Sequence, residues 1–147
     1  MAIPSRAVFV ESVAQRPRPP RTADSLAYWE AAHEGRLIIQ RCDDCGTPRF
    51  YPRVPCSRCW SDRVSWIDAS GRGTIYSFTI VHRPPSAGFA DAAPYAVALV
   101  ELEEGVRMMA NVLAEDPSTV SVGDLVEVVF ERLDDTVTLP QFRLAAP

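Results

Sequence analysis

The sequence predicts a mainly β chain: an extended arm, one short helix, a cysteine-bearing metal module and a small closed or partly closed barrel. Three observations carry this. The four cysteines fall within 18 residues as Cys42-x2-Cys45-x10-Cys56-x2-Cys59. Six β-type runs separated by turn signals fill residues 64–147. One helical stretch, residues 24–35, precedes both. Short strands at this spacing favour a barrel over a helical or βαβ fold.

The arm comes first. Residues 1–23 open mildly apolar and then run through Pro17, Pro19 and Pro20. Proline fixes φ and lacks an amide donor, so this piece is extended and polyproline-like, an arm or a linker. In the helix, Asp24 or Ser25 can cap the start and Gly35 can end it. Leu26, Trp29 and His33 fall on one face, with Tyr28 and Ala32 beside them. Three turns are not stable alone. The stripe therefore packs on its own chain, or Tyr28 and Trp29 dock on another protein.

Leu37–Ile39 predicts a strand running into the first cysteine pair, and Gly46 suits a knuckle turn. Phe50, Tyr51 and Trp60 supply an apolar skirt. Zinc takes four thiolates in a tetrahedron, and each C-x2-C knuckle supplies two from one turn. With Cys42, Cys45, Cys56 and Cys59 all engaged, no position remains for water or substrate, so the site is structural. Its binding energy, roughly 10–16 kcal/mol in comparable modules, is folding energy for a segment too small to bury a core. Rubredoxin-type iron fits the same spacing. A redox pair of disulfides lacks the βαβ context it would need. No stretch resembles a secretion signal, which places the thiols in a reducing cytoplasm.

The β runs are Val64–Ile67, Thr74–Val81, Tyr95–Leu102, Val106–Leu113, Leu125–Glu131 and Val137–Leu144. Ser70–Gly73, Glu103–Gly105, Gly123-Asp124 and Asp134-Asp135 are turns, and Ser86–Ala93 is a loop. Tyr95–Leu102 is apolar throughout, as in a strand covered on both faces. In Leu125–Glu131, Val126, Val128 and Phe130 alternate with Glu127, Val129 and Glu131, the pattern of a half-buried strand.

Composition narrows the function. No apolar run approaches the roughly 20 residues of a membrane span. All 15 cationic side chains are arginine, which excludes a Schiff-base or P-loop lysine. Residues 1–63 carry 10 Arg against 7 acids, and residues 64–147 carry 5 Arg against 12. The acidic barrel half is a poor match for nucleic acid. His82 could be a general base, but no nucleophile stands beside it in sequence. Arg83 could grip a phosphate or carboxylate. Gly71 and Gly73 belong to a turn or bulge rather than a nucleotide loop.

The order of motifs resembles a known family. An aromatic helix leads to Gly35-Arg-Leu37, C-x2-C-G, an aromatic-Pro-Arg stretch and C-x2-C. Then follow Trp66, Ser70-Gly-Arg-Gly-Thr74, Val81-His-Arg-Pro84, Pro94-Tyr-Ala-Val-Ala-Leu-Val-Glu-Leu-Glu-Glu-Gly105, Gly123-Asp124 and Leu139-Pro-Gln-Phe-Arg143. Residues 24–144 resemble the zinc-ribbon plus OB-fold family long catalogued as a domain of unknown function. Beyond the Pro-rich arm (1–23), which is the least family-like part, the resemblance implies a helix with a rubredoxin-like zinc ribbon (24–63) and an OB-fold barrel (64–147). It also implies a non-catalytic accessory subunit of a thiolase-like enzyme acting on acyl-CoA. That enzyme is an acyltransferase, or an aldolase of the kind that shortens steroid side chains. All four zinc positions are retained, and no catalytic residue carries over. Tyr28, Trp29, His82, Arg83 and Phe89 are the candidate contacts to the partner or to acyl-CoA. Two other readings stand beside it: a nucleic-acid module stacking bases on Tyr76, Phe78 and Phe89, and a free-standing acyl-CoA-binding protein or small enzyme working through His82 or Arg83.

Overall fold

The computed structural model describes residues 7–12 and 15–147; the rest of the predicted arm lies outside the described residues. Nine strands and one α-helix follow in order: β1 (Phe9–Glu11), α1 (Leu26–His33), β2 (Ile38–Cys42), β3 (Pro48–Arg49), β4 (Val64–Asp68), β5 (Arg72–Val81), β6 (Tyr95–Leu102), β7 (Arg107–Val112), β8 (Leu125–Arg132) and β9 (Thr138–Leu144). Among the described residues no helix is long and apolar enough to cross a membrane.

Strands β5 to β9 form a five-stranded barrel. Antiparallel ladders join β5 to β6, β6 to β7, β8 to β9 and β5 to β8. A parallel contact at Val112 and Phe142 joins β7 to β9 and closes the ring. Closure leaves few open edges, the usual hazard of a small sheet. Ile75, Val100, Met108, Val126, Phe130 and Phe142 fill the interior and are almost fully buried. Strand β6 buries alternate residues only, Ala96, Ala98, Val100 and Leu102, so one face is covered rather than two. Gly73 stands where β5 and β6 press together: a Cβ there would lie 2.6 Å from the Glu101 carbonyl oxygen.

The ribbon is a separate sheet in the order β3-β2-β4. The run Val64–Ile67, read from the sequence with the barrel strands, instead lies in β4, which pairs along the whole of β2, from Ile38 with Asp68 to Cys42 with Val64. Helix α1 lies between ribbon and barrel. It buries Tyr28, Trp29, Ala31 and Ala32, while Leu26 is exposed, so the packed face is rotated from the predicted stripe. His33 Nδ1 lies 3.1 Å from Thr138 Oγ1 and ties the helix to β9. Gly35 ends the helix at φ +78°, where its missing side chain also leaves room for Ala7 and Phe9.

The arm is docked on the barrel. β1 adds in parallel to β8, Phe9 opposite Phe130 and Glu11 opposite Arg132, beyond the part of β8 that pairs with β5. Farther along, Arg16, Arg18 and Arg21 reach Glu131, Asp134 and the Thr136 carbonyl in turn.

A candidate metal centre and an adjoining cleft

The two knuckles repeat one design. Gly46 N–H donates to the Cys42 carbonyl and Trp60 N–H to the Cys56 carbonyl, each at 2.9 Å. Cys42 N–H donates to Thr47 and Cys56 N–H to Ser61. Both knuckles need a residue at positive φ after the second cysteine. Gly46 supplies it at +70°. Trp60 supplies it at +62°, with 78% of its surface exposed. Trp60 thus points into solvent rather than skirting the site.

The four sulfurs lie within 4.8 Å of one another, Cys42 and Cys59 at 3.5 Å and Cys45 and Cys56 at 3.9 Å. A regular tetrahedron of thiolates about 2.3 Å from zinc has edges of about 3.8 Å, so the spacing fits the ion. These separations are far longer than the roughly 2.05 Å of a disulfide. Local hydrogen bonds favour thiolate at Cys45 and Cys56; at Cys59 the Ser61 amide acts the same way, but the neighbouring sulfurs and burial outweigh it and push that thiol up to about 12. Amides of Cys59 and Arg58 pull Cys56 down to about 6. The Thr47 hydroxyl, 3.2 Å from Cys45 Sγ, and the Thr47 amide lower Cys45. All four ligands come from the chain, which makes the zinc structural.

The ribbon loop after β3 is held by Arg49, itself buried. Its guanidinium donates to the Pro55 carbonyl at 3.0 Å and to Gln40 Oε1 at 3.0 Å. Gln40 Oε1 also accepts from Arg53 N–H at 2.8 Å. This fixes Phe50 and Tyr51 against the helix, with ring centroids 5.6 and 6.4 Å from Tyr28.

A cleft of ≈560 Å³ opens between these rings, helix α1, strands β6, β7 and β9, and the arm. That volume is typical of small-molecule sites, about 300–1,000 Å³. Tyr28, Trp29 and Phe89 all border it. Tyr28 and Trp29 are 3% and 9% exposed, so they pack on their own chain and only their edges face the cleft. Burial, with Tyr51 close by, pushes the Tyr28 hydroxyl well above its ordinary range, so it stays a neutral phenol. Phe89 stacks on Tyr95 at 5.8 Å. His82 and Arg83 follow the end of β5, are exposed, and lie outside the lining.

Sequence reasoning missed Arg16, Asn111 and Gln141, the polar members of the wall. Arg16 Nη1 donates to Glu131 Oε2 at 2.8 Å, and the two side chains are 8% and 6% exposed. Gln141 Nε2 donates to the same oxygen at 3.0 Å, and its Oε1 accepts from Asn111 N–H at 2.8 Å. Two buried donors, Arg16 Nε and Trp29 Nε1, have no acceptor among the described residues. Among the described residues, nothing in the lining is a serine, cysteine, histidine or carboxylate. The described lining can bind an apolar group, and no nucleophile with a base beside it is among the described residues there.

Comparison with known proteins agrees with this architecture. The ChsH2 rubredoxin-like zinc ribbon domain matches residues 29–65, and the ChsH2 C-terminal OB-fold domain matches residues 66–131. A probable enoyl-CoA hydratase alpha subunit of Thermomonospora curvata is 40% identical over 134 residues, 91% of this chain and 41% of that protein. The chain thus spans about two fifths of that relative. The benzoylsuccinyl-CoA thiolase subunit BbsA of Geobacter metallireducens is 33% identical over 75 residues, 51% of this chain and 49% of that protein. Among solved structures, a chain of the Ltp2-ChsH2(DUF35) aldolase superposes with a TM-score of 0.79 at 39% identity, covering 88% of this chain and 100% of that one.

Proposed function

Because the chain belongs to the ChsH2 zinc-ribbon and OB-fold family, also called DUF35, we propose that it is a non-catalytic accessory subunit. It docks on a thiolase-like aldolase or acyltransferase and helps to form the site where that enzyme handles an acyl-CoA thioester. Steroid side-chain thioesters are the narrower class that the family resemblance implies. The observation that carries the reading is the cleft: apolar, of ligand size, and lined among the described residues by no serine, cysteine, histidine or carboxylate. Such a surface can shelter an acyl group while a partner supplies the chemistry. Two relatives named as subunits of acyl-CoA enzymes support it. Four free thiols around one zinc suit a reducing cytoplasm.

The nucleic-acid reading is weaker. Base stacking needs open ring faces. Arg107 covers Tyr76, its guanidinium carbon 3.5 Å from the ring centroid. Phe89 is stacked on Tyr95. His82 and Arg83 remain candidate contacts at the partner surface, since neither has a hydrogen-bond or ion-pair partner among the described residues.

The test is co-purification of the tagged, zinc-loaded chain from its native cells at moderate salt, with mass spectrometry and an acyl-CoA turnover assay. A stoichiometric thiolase-fold protein whose activity needs both chains is the expected result. Recovery of nucleic acid, or of the chain alone, overturns the proposal.

A further inference from the structure

We infer that the arm is the specificity wall of the cleft: Arg16 and Pro17, clamped by Arg16 on Glu131, set the size of the apolar group the cleft admits. The inference rests on the reading that the cleft receives the acyl part of a thioester. It concerns a segment outside both matched domains, which begin at residue 29.

Three contacts hold the wall. The first is the buried pair of Arg16 and Glu131 at 2.8 Å. Through Gln141 and the Asn111 amide the clamp is tied to β8, β9 and β7 together. The second is aromatic: the Arg16 guanidinium sits 5.4 Å from the Phe89 ring centroid, so arm and Phe89 brace each other. The third is a close approach. A Cβ on Gly88 would lie 2.2 Å from the Gln15 carbonyl oxygen, so only glycine lets the short helical turn at Ala87–Ala92 meet the arm backbone. Arg18 and Arg21 continue the fastening outward to Asp134 and Thr136.

The occupant follows from the lining. Phe50, Met109 and Leu139 offer apolar surface, while Arg16 Nε and Trp29 Nε1 are buried donors without acceptors among the described residues. An apolar body carrying a carbonyl or hydroxyl oxygen suits both features. A simple linear acyl-CoA is the minimal probe of that class. Because the arm forms one side, its position fixes the width available.

The experiment is calorimetric titration of the zinc-loaded full chain with butyryl-, octanoyl- and dodecanoyl-CoA, with free CoA as control. Wild type is compared with Arg16→Gln and with Gly88→Ala, which displaces the arm while keeping both charges. Zinc content and cooperative melting certify folding. Wild type is expected to favour one chain length by about tenfold, the scale on which hydrophobic pockets discriminate. Both variants are expected to flatten that preference to within about threefold. An unchanged preference in both variants overturns the inference and leaves the cleft reading standing. A wild type that binds all three esters alike also overturns it. A wild type that binds none of them overturns both.

Discussion

Arg16→Ala and Arg18→Ala delete two guanidinium groups from one arm, two residues apart, yet their costs should differ several-fold. Arg16 and Glu131 are 8% and 6% exposed. Removing Arg16 strands a carboxylate inside the protein, a loss of about 3–5 kcal/mol when a buried pair is broken. Gln141 still donates to Glu131, so the lower end, about 3 kcal/mol, is expected. Arg18 and Asp134 are 63% and 32% exposed, and such a pair contributes about 0–1 kcal/mol. In a domain of this size the difference is a melting shift of about 6–12 °C against less than about 4 °C. The assay is urea unfolding of the zinc-loaded protein at neutral pH, with the denaturant slope checked for constancy. Added salt should erase the Arg18 effect and leave the Arg16 effect. The double variant Arg16→Leu with Glu131→Gln strands no charge and still offers Gln141 an acceptor, so it should cost only about 1 kcal/mol. If the two single variants fall within about 1 kcal/mol of each other, burial does not govern the latch and the reasoning fails.

Three further outcomes are expected. Stripping the metal with a chelator removes on the order of 10 kcal/mol from the ribbon; hydrogen exchange should then become fast at Ile38–Cys42 and Val64–Asp68 while Ile75, Val100 and Phe142 stay protected. Gly73→Ala presses a Cβ to 2.6 Å from backbone of the paired strand and should cost about 2–3 kcal/mol in chemical unfolding. Asp134 is held below the usual carboxylate range by the Thr136 hydroxyl and amide first and by Arg18 after them. A depressed carboxyl stabilises the fold above its unfolded value of about 3.9, and the contribution is lost as pH falls through the folded value. The penalty of Asp134→Asn in melting experiments should therefore be full at neutral pH and vanish in acid.

Local patterns carried the elements, and distant pairings hid the site. The cysteine spacing, the glycine after the first knuckle and the barrel runs are readable because each depends on residues close in sequence. The partner of Val64–Asp68 is not, since its alternation suits the ribbon sheet as well as the barrel. The helix is sandwiched, so burial spreads over Tyr28, Trp29, Ala31 and Ala32 and no narrow stripe marks the packed side. Glu131 falls on the polar side of its strand, yet it is buried because Arg16 of the arm covers its carboxylate. Nothing near Glu131 announces Arg16, 115 residues away. Trp60 reads as core by residue type, but the knuckle needs positive φ there and turns the ring outward.

The pairing of β1 with β8 sets an order for assembly on the ribosome. The ribbon closes within Ile38–Asp68, so the metal can bind once that stretch has left the exit tunnel. Among the described residues β1 pairs with Phe130–Arg132, made about 60 residues later. At about 5–20 residues per second, that is roughly 3–12 s of synthesis. Through that interval Phe9 and Val10 have no strand to join. The zinc module can therefore close before the arm has a strand to be fastened to, and the barrel ring waits longer still, for β9.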